Sequence, residues 1–138
     1  MQIIIDVNVI ISAMISKEGS PAKIMREWLK GSFEIIISKK LLEELRRALQ
    51  YPKLQKYMTQ SDIDNIIDLL KVEGVSAEDV ELPSEFHSKD PDDDYLIALA
   101  LSTKSIIVTG DLDLLSSSNK IPIFSPVDFL NKVLIHSD

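Results

Sequence analysis

Apolar residues along this chain are spaced in two ways. Continuous, mostly β-branched runs occur at Ile3-Ile4-Ile5, at residues 33–37 (Phe-Glu-Ile-Ile-Ile) and at Ile106-Ile107-Val108. Runs of this kind predict strands covered on both faces, as in a parallel sheet. Between them the apolar positions recur every three to four residues. That spacing predicts helices over residues 9–16, 20–30, 38–51, 59–73, 90–104 and 127–135, with shorter helical pieces at 53–58 and 114–115. Local chemistry sets the ends. Ser20 caps a helix that has Pro21 at its first position, Ser38 caps the next, Pro52 stops it, and Gly74 closes the one after. A short strand is expected within residues 75–82 and another over 121–124. Trp28 shares a helical stripe with Ile24 and Met25, so it is expected in the core. Strands alternating with helices predict an α/β fold: a three-layer α/β/α sandwich on a mainly parallel central sheet, in one domain spanning residues 1–138.

Composition narrows the class. The chain has 138 residues, enough to bury a sizeable core. It has no cysteine, which excludes disulfides and thiolate metal sites. The N-terminus lacks a basic signal region, and no apolar run reaches the roughly 20 residues of a membrane span, so a cytoplasmic protein with no membrane partner is expected. The formal net charge of −7 argues against general nucleic-acid binding, but the charge is unevenly spread. Residues 39–56 hold six bases (Lys39, Lys40, Arg46, Arg47, Lys53, Lys56) against two acids, Glu43 and Glu44. Residues 62–94 hold twelve acids against two bases, Lys71 and Lys89. Most such residues serve as solvated helix faces. A basic stretch beside an acidic one nonetheless suits a protein that binds polyanions and cations in adjacent places.

The candidate chemistry starts at Asp6, which ends the first strand. Open α/β sheets place ligand sites at the carboxyl ends of their strands. The plainer reading is that Asp6 and Asn8 cap the following helix. Asp111 stands in the same relation to the strand 106–108, with Asp113 close behind it. Helix geometry selects two more acids. At about 100° per residue, Glu44 falls beside Ala48 on the rim of the apolar face, whereas Glu43 points away. Glu44 read by itself is a rim residue pairing with Arg47 or Lys40. In the helix opened by Asp90-Pro91, Asp93 falls on the line of Leu96, Ile97, Ala100 and Leu101, with Asp92 and Asp94 to either side. Acids in a first turn favour the helix dipole, but one on the core-facing line must be paired or bind a metal. Asp6, Glu44, Asp93 and Asp111 are therefore expected to converge at one sheet edge. His87 and His136 are read as surface residues. An oxygen-only cluster selects Mg²⁺ or Mn²⁺ and suits metal-assisted hydrolysis of a phosphodiester.

Four segments in this order resemble the PIN-domain nucleases: Ile3-Ile-Ile-Asp-Val-Asn-Val-Ile-Ile-Ser12; Leu41-Leu-Glu-Glu-Leu-Arg-Arg-Ala-Leu49 with Tyr51-Pro-Lys53; Asp90-Pro-Asp-Asp-Asp-Tyr-Leu-Ile-Ala-Leu-Ala100; and Ile107-Val-Thr-Gly-Asp-Leu-Asp-Leu-Leu115. The likeness covers nearly the whole chain and is nearest to the VapC-type toxins of toxin–antitoxin systems. It implies a Mg²⁺- or Mn²⁺-dependent endoribonuclease whose four acids match Asp6, Glu44, Asp93 and Asp111. Asp94 aligns almost as well as Asp93, and Asp113 stands beside Asp111 as a supporting acid. Asn8 and Thr109 are expected to orient carboxylates or the attacking water. The resemblance further implies an RNA substrate, an antitoxin partner and a homodimer. The RNA path would rest on Lys39, Lys40, Arg46, Arg47, Lys53 and Lys56. An RNA-processing nuclease without an antitoxin fits the same residues.

Two other classes fit less well. An aspartyl-phosphate enzyme with Asp6 as nucleophile would want a second aspartate where Asn8 stands. A receiver-like phospho-acceptor would want adjacent acids after strand one and a lysine after a late strand, and neither Asp6-Val7 nor Thr109-Gly110 supplies them. A degenerate fold that only binds RNA or a partner would not be expected to keep all four acids.

Overall fold

Ile3, Ile4 and Ile5 are completely buried and form the middle of the sheet. They belong to β1 (Gln2–Ile5), which pairs in parallel with β2 (Glu34–Ile37) on one side and with β4 (Ile106–Val108) on the other. Each isoleucine hidden here contributes about 2 kcal/mol of burial free energy. The computed structural model describes residues 1–86, 91–116 and 121–134. The expectations for Asp90 as a cap and for His87 and His136 lie outside them. Two short strands, β3 (Val75–Ser76) and β5 (Ile123–Phe124), complete the sheet in the order β3-β2-β1-β4-β5, with every pairing parallel. The expected parallel α/β/α architecture is thus the observed one. The chain builds outward from β1 to β3, then returns to the other side of β1 for β4 and β5. This reversal creates a crevice at the carboxyl ends of β1 and β4, where doubly wound sheets bind ligands.

The helices follow the predicted periods, and their ends differ for local reasons. The helix α1 (Val7–Ile15) begins two residues earlier than expected, because Asp6 itself caps it. Gly19 takes the cap position of α2 (Ser20–Leu29), so Ser20 and Pro21 form its first turn. Ser38 caps α3 (Lys39–Leu49) as predicted, its hydroxyl accepting the Leu41 N–H at 3.2 Å. Beyond α3 only Pro52–Leu54 forms a 3₁₀ turn where residues 53–58 were expected to be helical. A reciprocal capping box between Thr59 and Asp62 starts α4 (Gln60–Glu73). The short strand expected within residues 75–82 is β3, at Val75–Ser76. After it the chain turns so that the Asp79 carboxylate accepts the Lys40 N–H at 2.9 Å, in the first turn of α3.

Pro91–Asp93 forms a 3₁₀ turn, so α5 (Asp94–Thr103) starts later than its sequence suggests. A short helix α6 (Leu112–Leu115) follows β4. The last predicted helix is α7 (Pro126–Asp128) continued by a π-helical stretch over Phe129–Leu134. Trp28 is buried, as its stripe implied, and Phe33 meets Phe129 edge to face at 5.4 Å. No helix among the described residues is long and apolar enough to cross a membrane.

Candidate active site

The site is built on the register of the two central strands. Ile5 lies opposite Val108, so the next residues, Asp6 and Thr109, leave the sheet side by side. The Asp6 N–H donates to the Val108 carbonyl at 3.0 Å, and the Thr109 N–H donates to the Phe124 carbonyl at 3.0 Å. Both backbones are thereby fixed. Asp6 is only 4% exposed and Thr109 not at all. The Thr109 hydroxyl donates to Asp6 Oδ2 at 2.7 Å, and Asp6 Oδ1 accepts the Asn8 N–H at 3.1 Å. A carboxylate this buried must be paired or hydrogen-bonded, and these two donors serve it. The capping and site readings of Asp6 are therefore not alternatives, since one carboxylate does both. Asn8 acts on Asp6 through its backbone, while its side chain is exposed.

The same Thr109 hydroxyl accepts the Asp111 N–H at 3.0 Å. One buried oxygen thus joins the acids after β1 and β4. Asp111 caps α6, its Oδ1 accepting the Asp113 N–H at 2.8 Å. The Asp113 side chain is exposed.

Asp93 occupies the cap position of α5, and Asp94 is the first residue of that helix. Both are half-buried, and Asp93 Oδ2 is turned away from solvent. α5 packs on β1, β4 and α3, which brings its start toward Asp6 and Glu44. Tyr95 registers the result. Its hydroxyl is pushed well above the usual tyrosine range, first by burial and then by the negative charges of Asp6, Glu44, Asp93 and Asp79. Three of the four candidate acids, each from a different element, therefore act on one point. Sequence reasoning missed Tyr95, because at about 100° per residue it falls roughly 200° from Asp93, off the core-facing line. The available signal was a hydroxyl-bearing ring two residues beyond Asp93.

Glu44 is half-buried and Glu43 exposed, as the helix geometry predicted. Glu44 Oε2 pairs with Arg47 at 2.8 Å and Oε1 with Lys40 at 3.2 Å. Its carboxyl is held below the usual glutamate value, chiefly by the hydrogen bond from Arg47 and further by Lys40. Among the described residues, no three acids stand close enough to hold one cation together. Like charges repel at short range, and Glu44 is neutralised by its own helix neighbours. The four carboxylates thus surround a common region without forming a closed cage.

The six predicted basic residues separate. Lys40 and Arg47 border a cleft of about 340 Å³ with Glu44, Asp92 and Tyr95. Lys53 and Lys56 border a second cleft of about 460 Å³ that begins at Asn8 and includes Tyr51 and Tyr57. Arg47 links the two, since its guanidinium donates to Glu44 and, at 3.2 Å, to the Tyr51 hydroxyl. Arg46 instead pairs with Asp64 on α4 at 3.6 Å. Lys39 is exposed at the start of α3.

Comparison with known proteins places this geometry in a family. The PIN domain model matches residues 2–113, a span containing all four candidate acids. An uncharacterized protein of Methanocaldococcus jannaschii is 32% identical over 117 residues, covering 84% of this chain and 74% of its own. Solved structures with a similar fold include VapBC2 from Rickettsia felis bound to a promoter DNA fragment (TM-score 0.62, 15% identity, 89% of this chain and 97% of that one). VapBC-1 of nontypeable Haemophilus influenzae is comparable (TM-score 0.60, 15% identity, 92% and 99%). So is FitAcB from Neisseria gonorrhoeae (TM-score 0.56, 14% identity, 91% and 98%). At these identities the structures speak for the fold, and the family match and the archaeal relative speak for the lineage. The chain belongs to the PIN-domain family of nucleases.

Proposed function

We propose that this chain is a Mg²⁺- or Mn²⁺-dependent endoribonuclease, the toxin of a toxin–antitoxin pair, acting in the cytoplasm as a homodimer. The observation that carries the nuclease reading is the Thr109 hydroxyl, which ties Asp6 to the Asp111 backbone at the sheet's switch point. Burying a carboxylate costs desolvation free energy that its two donors offset, and this one stands where doubly wound sheets bind ligands. The toxin reading is supported by the sequence likeness to VapC-type proteins and by the shared fold with VapBC2 and VapBC-1. An RNA-processing nuclease without an antitoxin is the second reading. A small DNA-binding protein encoded next to this chain's gene favours the toxin.

The donor set fits a hard divalent cation in kind. Its members are the carboxylate oxygens of Asp6, which is buried and oriented, of Asp93, with one oxygen turned away from solvent, and of Asp111 and Glu44. Asp6, Asp93 and Asp111 would have to close together to hold the ion, since among the described residues no three acids stand close enough as they are, and Glu44 would join when released from Arg47. Such an ion supplies hydroxide from water and stabilises charge on the leaving oxygen. The chain's own residues do the rest. Thr109 and the Asn8 N–H fix the Asp6 carboxylate, a supporting role of the kind that orients ligands. Lys40 and Arg47 border the acid cleft and can meet substrate phosphates there. A phosphoryl-accepting Asp6 is less favoured, since both of its oxygens are already engaged. The test is Asp6→Asn, which should abolish Mn²⁺-dependent RNA cleavage and leave the circular dichroism spectrum unchanged. Full cleavage by that variant would overturn the reading.

A further inference from the structure

The cleft beginning at Asn8 is not used by the acid chemistry, and its lining is unusual for an acidic protein. Tyr51 and Tyr57 are 46% and 53% exposed on its rim, large rings that folding leaves in water. Lys53 and Lys56 lie between them in sequence and line the same groove. The Lys56 ammonium sits 5.2 Å from the centre of the Tyr57 ring, which keeps the cation beside an aromatic face. The groove is continuous with the acid site at two points. Asn8 fixes Asp6, and Arg47 bridges Glu44 to the Tyr51 hydroxyl.

We propose that this groove is a base-stacking subsite for single-stranded nucleic acid, flanking the point of cleavage. The inference rests on the nuclease reading for its substrate, and on the groove for its place. Bases stack on Tyr51 and Tyr57, and the phosphates beside them meet Lys53 and Lys56. Exposed rings interleaved with cations are how proteins hold single strands without reading sequence. Charge complementarity selects this occupant. In a chain of net charge −7, two lysines on a groove also lined by Ile11, Ile15, Ala48 and Leu54 suit a polyanion that also carries flat apolar faces, as a single strand does. A duplex, with its bases stacked inside, cannot use the rings.

Binding measured in EDTA separates the subsite from turnover. Anisotropy of a fluorescein-labelled single-stranded RNA of about ten nucleotides should show the Tyr51→Ala/Tyr57→Ala protein binding at least about tenfold more weakly than wild type. Tyr51→Phe/Tyr57→Phe, which keeps the rings, should bind like wild type and guards against misfolding. An abasic oligonucleotide of the same length should lose affinity as the alanine pair does. Lys53→Ala and Lys56→Ala should each flatten the slope of log affinity against log salt by about 0.7. Wild-type affinity in the alanine pair, or equal binding of abasic and duplex probes, overturns the subsite even if the protein cleaves RNA. So does a result in which the alanine pair changes only self-association, which would make the groove a contact between copies. A protein that binds as predicted but never cleaves keeps the subsite and loses the nuclease.

Discussion

Thr109→Val tests the centre of the site without touching a candidate acid. The change replaces a hydroxyl with a methyl of similar size at a fully buried position. It removes the 2.7 Å donor to Asp6 Oδ2 and the 3.0 Å acceptor of the Asp111 N–H. A hydrogen bond to a charged group is worth roughly 1.5–3 kcal/mol, and an amide left without its acceptor costs about 1 kcal/mol or more. The sum is about 3 kcal/mol, a large share of the roughly 5–15 kcal/mol that holds a domain folded. For a chain of this size that corresponds to a melting shift of about 10 °C. Thr109→Ser keeps the hydroxyl and loses one buried methyl, at about 1 kcal/mol. Urea unfolding at neutral pH in EDTA, with circular dichroism as readout, should therefore order the proteins wild type, Ser, Val, with equal m-values. If Val is as stable as wild type, or more stable than Ser, the hydroxyl is not bridging the two strand ends and the account of the site fails.

Other outcomes follow from separate features. Gly74→Ala should destabilise the fold by about 1–3 kcal/mol in the same assay, because a Cβ there would meet the Leu70 carbonyl at 2.4 Å and Ile37 at 3.1 Å. Arg47→Ala should raise the titration of Glu44 toward the ordinary glutamate range, read by carboxyl NMR. The sign follows from linkage: a carboxyl held low contributes stability above its unfolded-state titration and loses it as pH falls through the lowered one. Arg47→Ala should thus weaken stability at neutral pH and make no difference in strong acid. Trp28→Ala, at a buried position between α2 and the core, should cost about 3–5 kcal/mol by urea unfolding.

The strands and most helices were legible because they follow strict periods. Ile3 to Ile5 and Ile106 to Val108 admit no reading but strands covered on both faces, and the α/β order follows. Asp6 was legible for the same reason, since a strand end leaves no neighbour to confuse with it. What the sequence hid depends on pairs distant in the chain. Nothing near Asp79 says that its carboxylate will accept the Lys40 N–H in the first turn of α3. Nothing in residues 39–56 says that Arg46 will turn to Asp64, although helical spacing did show that Glu44 would pair with Arg47 or Lys40. Tyr95 drew no notice in the sequence, and its place became plain only with the start of α5 set against β1 and α3. Asp93, read as a helical residue on the buried line, stands at the end of the 3₁₀ turn just before α5, with one carboxylate oxygen turned away from solvent.

The bond between Thr109 and Asp6 spans 103 positions of the chain. Synthesis proceeds from the N-terminus, so a ribosome has already released Asp6 and Glu44 into the cell while Thr109 and Asp111 do not yet exist. A growing chain therefore has its first acid long before it has the hydroxyl that orients it, and β1 waits for the strand that completes its pairing. Loops of this length close slowly. The long separation thus puts the assembly of the site among the last events in forming this fold.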